Sequence, residues 1–304
     1  MKDFVMVETR CGFIAILGLP NAGKSTLVNS LVDSKVSIVS HKAQTTRHRI
    51  LGITVEDNAQ LILVDTPGVF VPRRQLDRSM VQAAWDARTE ADLCIVLVDA
   101  TLKNFNEVKK LLQKCPGAVL VLNKIDQLPK PQLLEVAQEL TRDSVVEDVF
   151  MVSALHNDGI ADLRKALGKR LPLGPWLFEA DALTDQPQRL WAAELTREQL
   201  YLQLQQELPY DTWVETERWE NFANGSVRID QIIYVNRETQ KKIIIGAKGE
   251  RIKAISYASR QEMIRNLGIK IHLFLRVKVQ ENWSDKADIY RFLGLDNSSQ
   301  VLRQ

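Results

Sequence analysis

From residue 12 to residue 170 the chain alternates short apolar runs with longer amphipathic stretches. Apolar runs occupy residues 12–17, 61–64, 93–98, 118–122 and 149–152, each nearly free of polar interruption. Runs of this length fit strands covered on both faces, as in a mostly parallel sheet. Residues 49–55 add one further strand, expected at an edge. Helical periodicity fills the intervals, at residues 24–33, 76–90, 104–114, 131–142 and 160–170. Such a succession predicts an α/β domain with right-handed crossovers.

The rhythm stops at residues 171–187, where Pro172, Gly174, Pro175 and Pro187 leave no period. The expected division is a first domain over 1–172, a linker over 173–188 and a second domain over 189–304. The second domain opens with an amphipathic helix carrying Leu190, Ala193, Leu195, Leu200, Leu204 and Leu208. Strands follow at 211–219 and 226–235 around turn residues 221–225. Helical patterns flank residues 246–249, residues 270–279 form a last strand, and a polar tail ends the chain. This order, helix–strand–strand–helix–helix–strand, is a different layout from the first domain.

Composition changes the picture mainly through charge. The chain of 304 residues has a net charge of only +2. Residues 237–278, however, hold 11 Lys/Arg against 3 Asp/Glu, an excess of eight, so the rest carries −6. One basic block in a near-neutral chain points to a local polyanion site. Cys11, Cys94 and Cys115 suit neither a disulfide framework nor a zinc site. With no signal-peptide pattern at the N-terminus and no run long enough to cross a bilayer, a cytoplasmic location is expected. Peripheral membrane contact stays open.

The first apolar run leads into Gly18-Leu19-Pro20-Asn21-Ala22-Gly23-Lys24-Ser25-Thr26, and a helical pattern follows at once. Strand, G-x-x-x-x-G-K-[ST] and helix together are a phosphate-binding loop. Its glycines let backbone N–H groups turn toward phosphate oxygens, and the helix N-terminus adds positive dipole. Lys24 brings charge to the β/γ phosphates and Ser25 offers its hydroxyl to Mg²⁺. Asp65-Thr66-Pro67-Gly68 closes the second run, placing a carboxylate for Mg²⁺ and a Gly68 N–H for a γ-phosphate. Asn123-Lys124-Ile125-Asp126 closes the fourth run. The Asp126 carboxylate can accept from both N1–H and the exocyclic amine of guanine, a donor pair adenine lacks. Ser153-Ala154-Leu155 closes the fifth run and can support the base through a backbone N–H. All four loops fall at carboxyl ends of strands, where open α/β sheets bind ligands.

This set of motifs resembles a translation-factor-class GTPase. Residues 40–49 then supply the fifth motif, with Thr45 or Thr46 as the residue that ligates Mg²⁺ and senses the γ-phosphate. The family pattern favours Thr46, directly before Arg47. With Lys42-Ala43-Gln44-Thr45-Thr46-Arg47 and the C-terminal half included, nearly the whole chain resembles the Era GTPases. The resemblance implies an α/β P-loop GTPase domain, a mostly parallel sheet with helices on both faces, followed by an α+β type II KH domain. Val69 stands where Ras-like proteins carry a water-orienting Gln. The resemblance implies instead that Asn21 helps bind K⁺, whose charge assists as an arginine finger does elsewhere. Arg73 and Arg74 are weaker rivals for that role.

Gly246-Ala247-Lys248-Gly249 matches the GxxG loop of KH domains. Two spaced glycines alone are a weak signal, but helical patterns flank these and Lys241, Lys242, Lys248, Arg251 and Lys253 crowd them. Glycines admit a nucleic-acid backbone and the cations neutralise its phosphates. Ile244, Ile245 and Ile252 either line a groove for splayed bases or pack in the core.

By resemblance the chain is a GTP-hydrolysing switch that binds small-subunit ribosomal RNA near its 3′ end and assists maturation of the small ribosomal subunit. A monomer is expected, with Mg²⁺ and K⁺ as ions and the inner membrane as a further peripheral site. Two other readings stand beside it: a GTP-regulated RNA-binding module with negligible turnover, and an RNA-modification-associated GTPase.

Overall fold

The computed structural model describes residues 8–42, 45–70, 72 and 75–283. Arg73, Arg74, the middle of the 42–47 motif and the C-terminal tail lie outside the described residues. The chain forms two compact units. Residues 8–37 and 46–185 belong to the first; residues 38–42, 45 and 186–283 belong to the second.

In the first unit the strands are β1 (Arg10–Gly18), β2 (Ile50–Glu56), β3 (Ala59–Asp65), β4 (Leu93–Asp99), β5 (Ala118–Asn123) and β6 (Val146–Val152). They form one sheet in the order β2-β3-β1-β4-β5-β6, parallel except for the antiparallel β2–β3 pair. β1 and β3–β5 are the nearly continuous apolar runs, and helices cover both faces. Helices α1 (Lys24–Val32) and α5 (Ile160–Arg170) bury Leu27, Leu31, Leu163 and Leu167 on one face. Helices α2 (Gln75–Glu90), α3 (Asn106–Gln113) and α4 (Lys130–Thr141) bury Ala84, Val108, Leu111, Leu133 and Leu140 on the other. Each such Leu removes apolar area from water for about 1.5–3 kcal/mol. The double cover leaves the carboxyl ends of the parallel strands as the open rim.

The segment expected to be a linker is fastened to this unit up to residue 185. The Gln60 side chain accepts from Leu177 N (2.9 Å) and Phe178 N (3.1 Å) and donates to Phe178 O (2.8 Å). Ile53 N of edge strand β2 donates to Leu183 O at 2.8 Å, which covers part of an otherwise open sheet edge. The segment has no period because it is a strap, held through backbone groups and by Trp176 and Phe178, which pack on the cluster of Cys11, Leu51, Ile62, Val64 and Ala87.

The second unit follows the expected order: α6 (Gln188–Gln203), β7 (Thr212–Asn221), β8 (Val227–Val235), α7 (Glu238–Ile245), α8 (Glu250–Leu267) and β9 (Ile271–Val279). β8 pairs antiparallel with β7 and parallel with β9. A parallel pair needs a long crossover, and α7 and α8 provide it. Ala192, Leu195, Leu200, Ile229, Ile233, Ile244, Ile255 and Met263 are buried in two adjoining clusters between helices and sheet. α6 stops at Gln203, short of Leu208, which lies in a 3₁₀ turn. Gln206 has φ 55° and Pro209 follows Leu208, so the helix cannot continue there. Among the described residues no helix is long and apolar enough to cross a membrane.

Candidate nucleotide and nucleic-acid sites

Gly18 ends β1, and residues 18–24 turn back toward α1 with Asn21 at φ 63° and Gly23 at φ 97°. Gly23 is needed twice: its φ suits a residue without Cβ, and a Cβ there would lie 2.4 Å from Asn123 Nδ2. Asn123, the last residue of β5, knits two loops together. Its Nδ2 donates to Ala22 O at 2.9 Å and its Oδ1 accepts from Ala154 N at 3.0 Å. Asn21 is exposed at the loop tip. The buried Lys24 ammonium donates to Gly18 O (3.3 Å) and Leu19 O (3.2 Å). Burial lowers its pKa to about 8, against the pull of Asp65. Thr26 sits partly exposed in the first turn of α1.

Asp65 ends β3 and is fully buried. Burial raises its pKa, opposed first by the charge of Lys24, then by the hydroxyls of Ser25, Ser37 and Thr46. Thr46 Oγ1 donates to Asp65 Oδ2 at 3.2 Å and lies 2.9 Å from Ser25 Oγ. The structure thus gathers Ser25, Thr46 and Asp65. It does not bring in the Thr45 side chain, whose hydroxyl bonds Ser40 Oγ and Lys42 O within the second unit. Gly68 passes Pro20 and Lys24 so closely that a Cβ would lie 3.1 Å from Pro20 N. Val69 packs against the apolar cluster on the α3 side while its N–H donates to Gly18 O at 3.1 Å.

Asp126 follows Lys124, which has φ 65°. Ser153 Oγ donates to Asp126 Oδ1 at 2.5 Å. Ser153 therefore orients the expected guanine acceptor with its side chain, whereas its backbone N–H, expected to face the base, donates to Asp158 O at 3.0 Å. Leu155 is largely exposed. Lys124 Nζ is held 2.5 Å from Asp99 Oδ2, and Thr101 bonds the same carboxylate. Burial alone would raise the Asp99 pKa, but these partners outweigh it and hold it low. Sequence reasoning missed Asp99, although the signal was there: like Asp65, it closes an apolar strand. Ser37 was missed because its neighbourhood carries no motif.

In the second unit α7 and α8 meet at the expected GxxG loop. Gly246 has φ 72°, Lys248 φ 49° and Gly249 φ 77°. A Cβ on Gly246 would lie 2.8 Å from Arg251 Cβ, whereas one on Gly249 meets open space. Ala247, Lys248, Lys242, Arg251 and Lys253 are exposed or partly so, and Lys241 is half-buried. Arg251 Nη1 also donates to Ile243 O at 2.9 Å, tying the two helices. Ile244 is core, while Ile245 and Ile252 stay partly exposed. Ile252, Lys253 and Ser256 border a groove of about 550 Å³ whose other wall is Phe274, Leu275 and Arg276 of β9. In this groove Lys253 and Arg276 stand with the exposed or partly exposed Ile252, Phe274 and Leu275, a combination that suits a single-stranded nucleic acid.

Comparison with known proteins agrees with a GTPase domain followed by a KH domain. The 50S ribosome-binding GTPase family model matches residues 13–124, and the KH domain model matches residues 207–284. GTPase Era of Brucella suis biovar 1 (strain 1330) is 52% identical over 294 residues, 95% of this chain and 94% of the relative. GTPase Era of Bradyrhizobium diazoefficiens is 49% identical over 292 residues, 95% of each chain. A crystal structure of Era in complex with MgGDPNP and nucleotides 1506–1542 of 16S ribosomal RNA matches with a TM-score of 0.87 and 36% identity, covering 94% of this chain and 99% of the other. A point variant of Aquifex aeolicus Era bound to GDP·AlF₄⁻ matches with a TM-score of 0.88 and 35% identity, at the same coverage.

Proposed function

The chain belongs to the GTPase Era family, and from that premise we propose that it is a GTP-hydrolysing switch acting on the 3′ end of small-subunit ribosomal RNA during maturation of the small subunit. One observation supports this most: a relative bound to both MgGDPNP and a 16S ribosomal RNA fragment aligns over 94% of this chain, across both units. The residues assigned to the nucleotide are Gly18, Asn21, Ala22, Gly23, Lys24, Ser25 and Thr26 for phosphates and Asp65, Gly68 and Thr46 for the γ-phosphate side. Asn123, Lys124, Asp126, Ser153, Ala154 and Leu155 hold the base. Lys241, Lys242, Ile245, residues 246–249, Arg251, Ile252 and Lys253 receive the RNA.

The residues fit Mg²⁺. Ser25 and Thr46 offer neutral hydroxyls 2.9 Å apart, and Asp65 Oδ1 is buried without a partner among the described residues. When bound, the ion neutralises charge between the β and γ phosphates. Lys24 adds a fixed cation, and its lowered pKa reports a buried ammonium awaiting a counter-charge. Val69 has no polar side-chain atom to orient the attacking water, which favours slow intrinsic turnover. Asn21, exposed at the loop tip, is the assigned contact for K⁺. Location in the cytoplasm, with peripheral membrane contact, belongs to the same proposal.

Single-turnover GTP hydrolysis tests this reading, with and without K⁺ and with an RNA carrying 16S nucleotides 1506–1542. Turnover that K⁺ accelerates and RNA modulates supports it. Tight GTP binding with no turnover under any of these conditions favours the alternative of a GTP-regulated RNA-binding module.

A further inference from the structure

Three hydroxyls surround the Asp65 carboxylate, and only two are accounted for. Ser25 begins α1, and Thr46 comes from the loop before β2. The third, Ser37, is 1% exposed. It lies near enough to stabilise the charged carboxylate. Yet Ser37 Oγ and Asp65 Oδ1, both buried, each lack a partner at full hydrogen-bond geometry among the described residues. Buried oxygens left so are costly unless something polar joins them.

The backbone of Ser37 is fixed independently of the loop that follows. Asn29 of α1 accepts from Val36 N (3.0 Å) and Ser37 N (2.9 Å) through Oδ1, and donates to Ser37 O (2.8 Å) through Nδ2. Val36 is itself buried in the same core cluster as Val28 and Leu31 of α1. Ser37 is thus pinned to the helix that starts with Lys24 and Ser25. The next residue, Ile38, already belongs to the second unit.

We propose that Ser37 is a positioning residue of the Mg²⁺ site, its hydroxyl and Asp65 Oδ1 jointly holding a water of the metal's hydration shell in both the GDP and the GTP state. This rests on reading Ser25, Thr46 and Asp65 as that site. Mg²⁺ dehydrates reluctantly and keeps several waters, so its protein partners act largely through them. Groups that orient such outer partners typically matter 10–100-fold in metal affinity. A hydroxyl can donate to Asp65 and accept from the water together. Thr46 differs: its loop is expected to order around the γ-phosphate, so its contribution belongs to the GTP state. Ser37, clamped by Asn29, does not wait for the γ-phosphate.

The test measures release of a fluorescent GDP analogue across a Mg²⁺ titration, for the full chain as wild type, Ser37→Ala, Ser37→Thr and Thr46→Ala. The Mg²⁺ midpoint for slowing release should rise about tenfold in Ser37→Ala, stay near wild type in Ser37→Thr, and stay near wild type in Thr46→Ala. With a GTP analogue that is not hydrolysed, both alanine variants should shift. Melting temperature and GDP release in excess chelator should match wild type in Ser37→Ala. An unshifted midpoint in Ser37→Ala overturns the proposal, and so does an equal change in chelator, which would mark a structural role. If wild type itself shows no Mg²⁺ dependence, the reading of the metal site fails instead.

Discussion

Arg197 Nη2 donates a hydrogen bond to the carbonyl oxygen of Thr45 at 2.6 Å. Arg197 is buried in α6 and paired with Glu194, its Nε lying 2.8 Å from the carboxylate. Val39 N and Lys42 Nζ bond further groups of the same helix, the Glu198 carboxylate and the Tyr201 carbonyl. The very next residue after Thr45, Thr46, bonds Ser25 and Asp65 of the nucleotide site. Within one peptide unit the chain passes from a hydrogen bond to α6 to a hydrogen bond to the phosphate machinery. Thr46, the residue assigned above to the γ-phosphate side, is therefore covalently joined to one that α6 holds.

Arg197→Met takes the buried counter-charge away from Glu194 and should cost about 3–5 kcal/mol, seen as a lower melting temperature. Arg197→Met with Glu194→Leu removes both charges and should recover most of that stability. It still leaves the Thr45 carbonyl without its Arg197 donor. With only the Val39 and Lys42 bonds left to α6, RNA affinity in the double variant should differ less between a GTP analogue and GDP than it does in wild type. A nucleotide-dependent difference equal to wild type would show that this bond carries no signal.

Asp126 should decide the base. Its Oδ1 is oriented by Ser153 at 2.5 Å, and its carboxylate suits two guanine donors. Asp126→Asn replaces one acceptor by a donor, and the mismatched pair should weaken GDP binding by more than tenfold. Affinity for xanthosine diphosphate, which presents an acceptor in place of the exocyclic amine, should rise. Ser153→Ala should weaken GDP binding about tenfold without changing the preferred base. Fluorescence titration with the two nucleotides separates these outcomes.

Much of both sites is legible in sequence because short loops at strand ends carry their chemistry as contiguous motifs. Gly18 to Ser25, Asp65 to Gly68 and Asn123 to Asp126 each sit directly after an apolar run that marks a strand. The choice between Thr45 and Thr46 is different, since either residue type can ligate a metal. The bonds of Thr46 to Asp65 and of Thr45 to Ser40 separate them. Ser37 and Arg197 were invisible because their partners lie far along the chain: Asp65 is 28 residues from Ser37, and Thr45 is 152 from Arg197. The strap over residues 173–185 was unreadable for a related reason. It is held by backbone bonds to Gln60 and β2 and by two aromatic anchors, Trp176 and Phe178, too few and too closely spaced to make a hydrophobic period.

The two glycines of the GxxG loop should fail differently. Gly246→Ala drives a Cβ to 2.8 Å from Arg251 Cβ at a left-handed φ of 72°. That should cost about 1–3 kcal/mol of stability in addition to RNA affinity. Gly249→Asp has open space, and Asp tolerates positive φ, so the fold should lose about 1 kcal/mol or less. Its added negative charge beside Lys248 should still weaken RNA binding at least about tenfold. Melting curves with a 16S-derived RNA titration distinguish the pair, and equal stability losses would contradict the geometry.

Lys24 makes nucleotide binding depend on pH in a defined direction. Burial lowers its pKa from 10.5 to about 8 in the ligand-free fold. Between those two values the unfolded chain carries a proton that the folded chain has shed. Stability of the ligand-free protein should therefore rise with pH across that window, its destabilising effect being full below pH 8. Phosphates beside Lys24 favour the charged form and restore the proton. GDP binding at about pH 9 should then take up close to one proton, and at about pH 7 almost none from this group. Affinity should fall with rising pH above 8 by as much as about tenfold per unit. Calorimetry in two buffers of different ionisation heat measures the uptake directly. Lys24→Arg, whose guanidinium stays charged throughout, should abolish it. Uptake of the same size in Lys24→Arg would assign the proton to another group and remove Lys24 as its source.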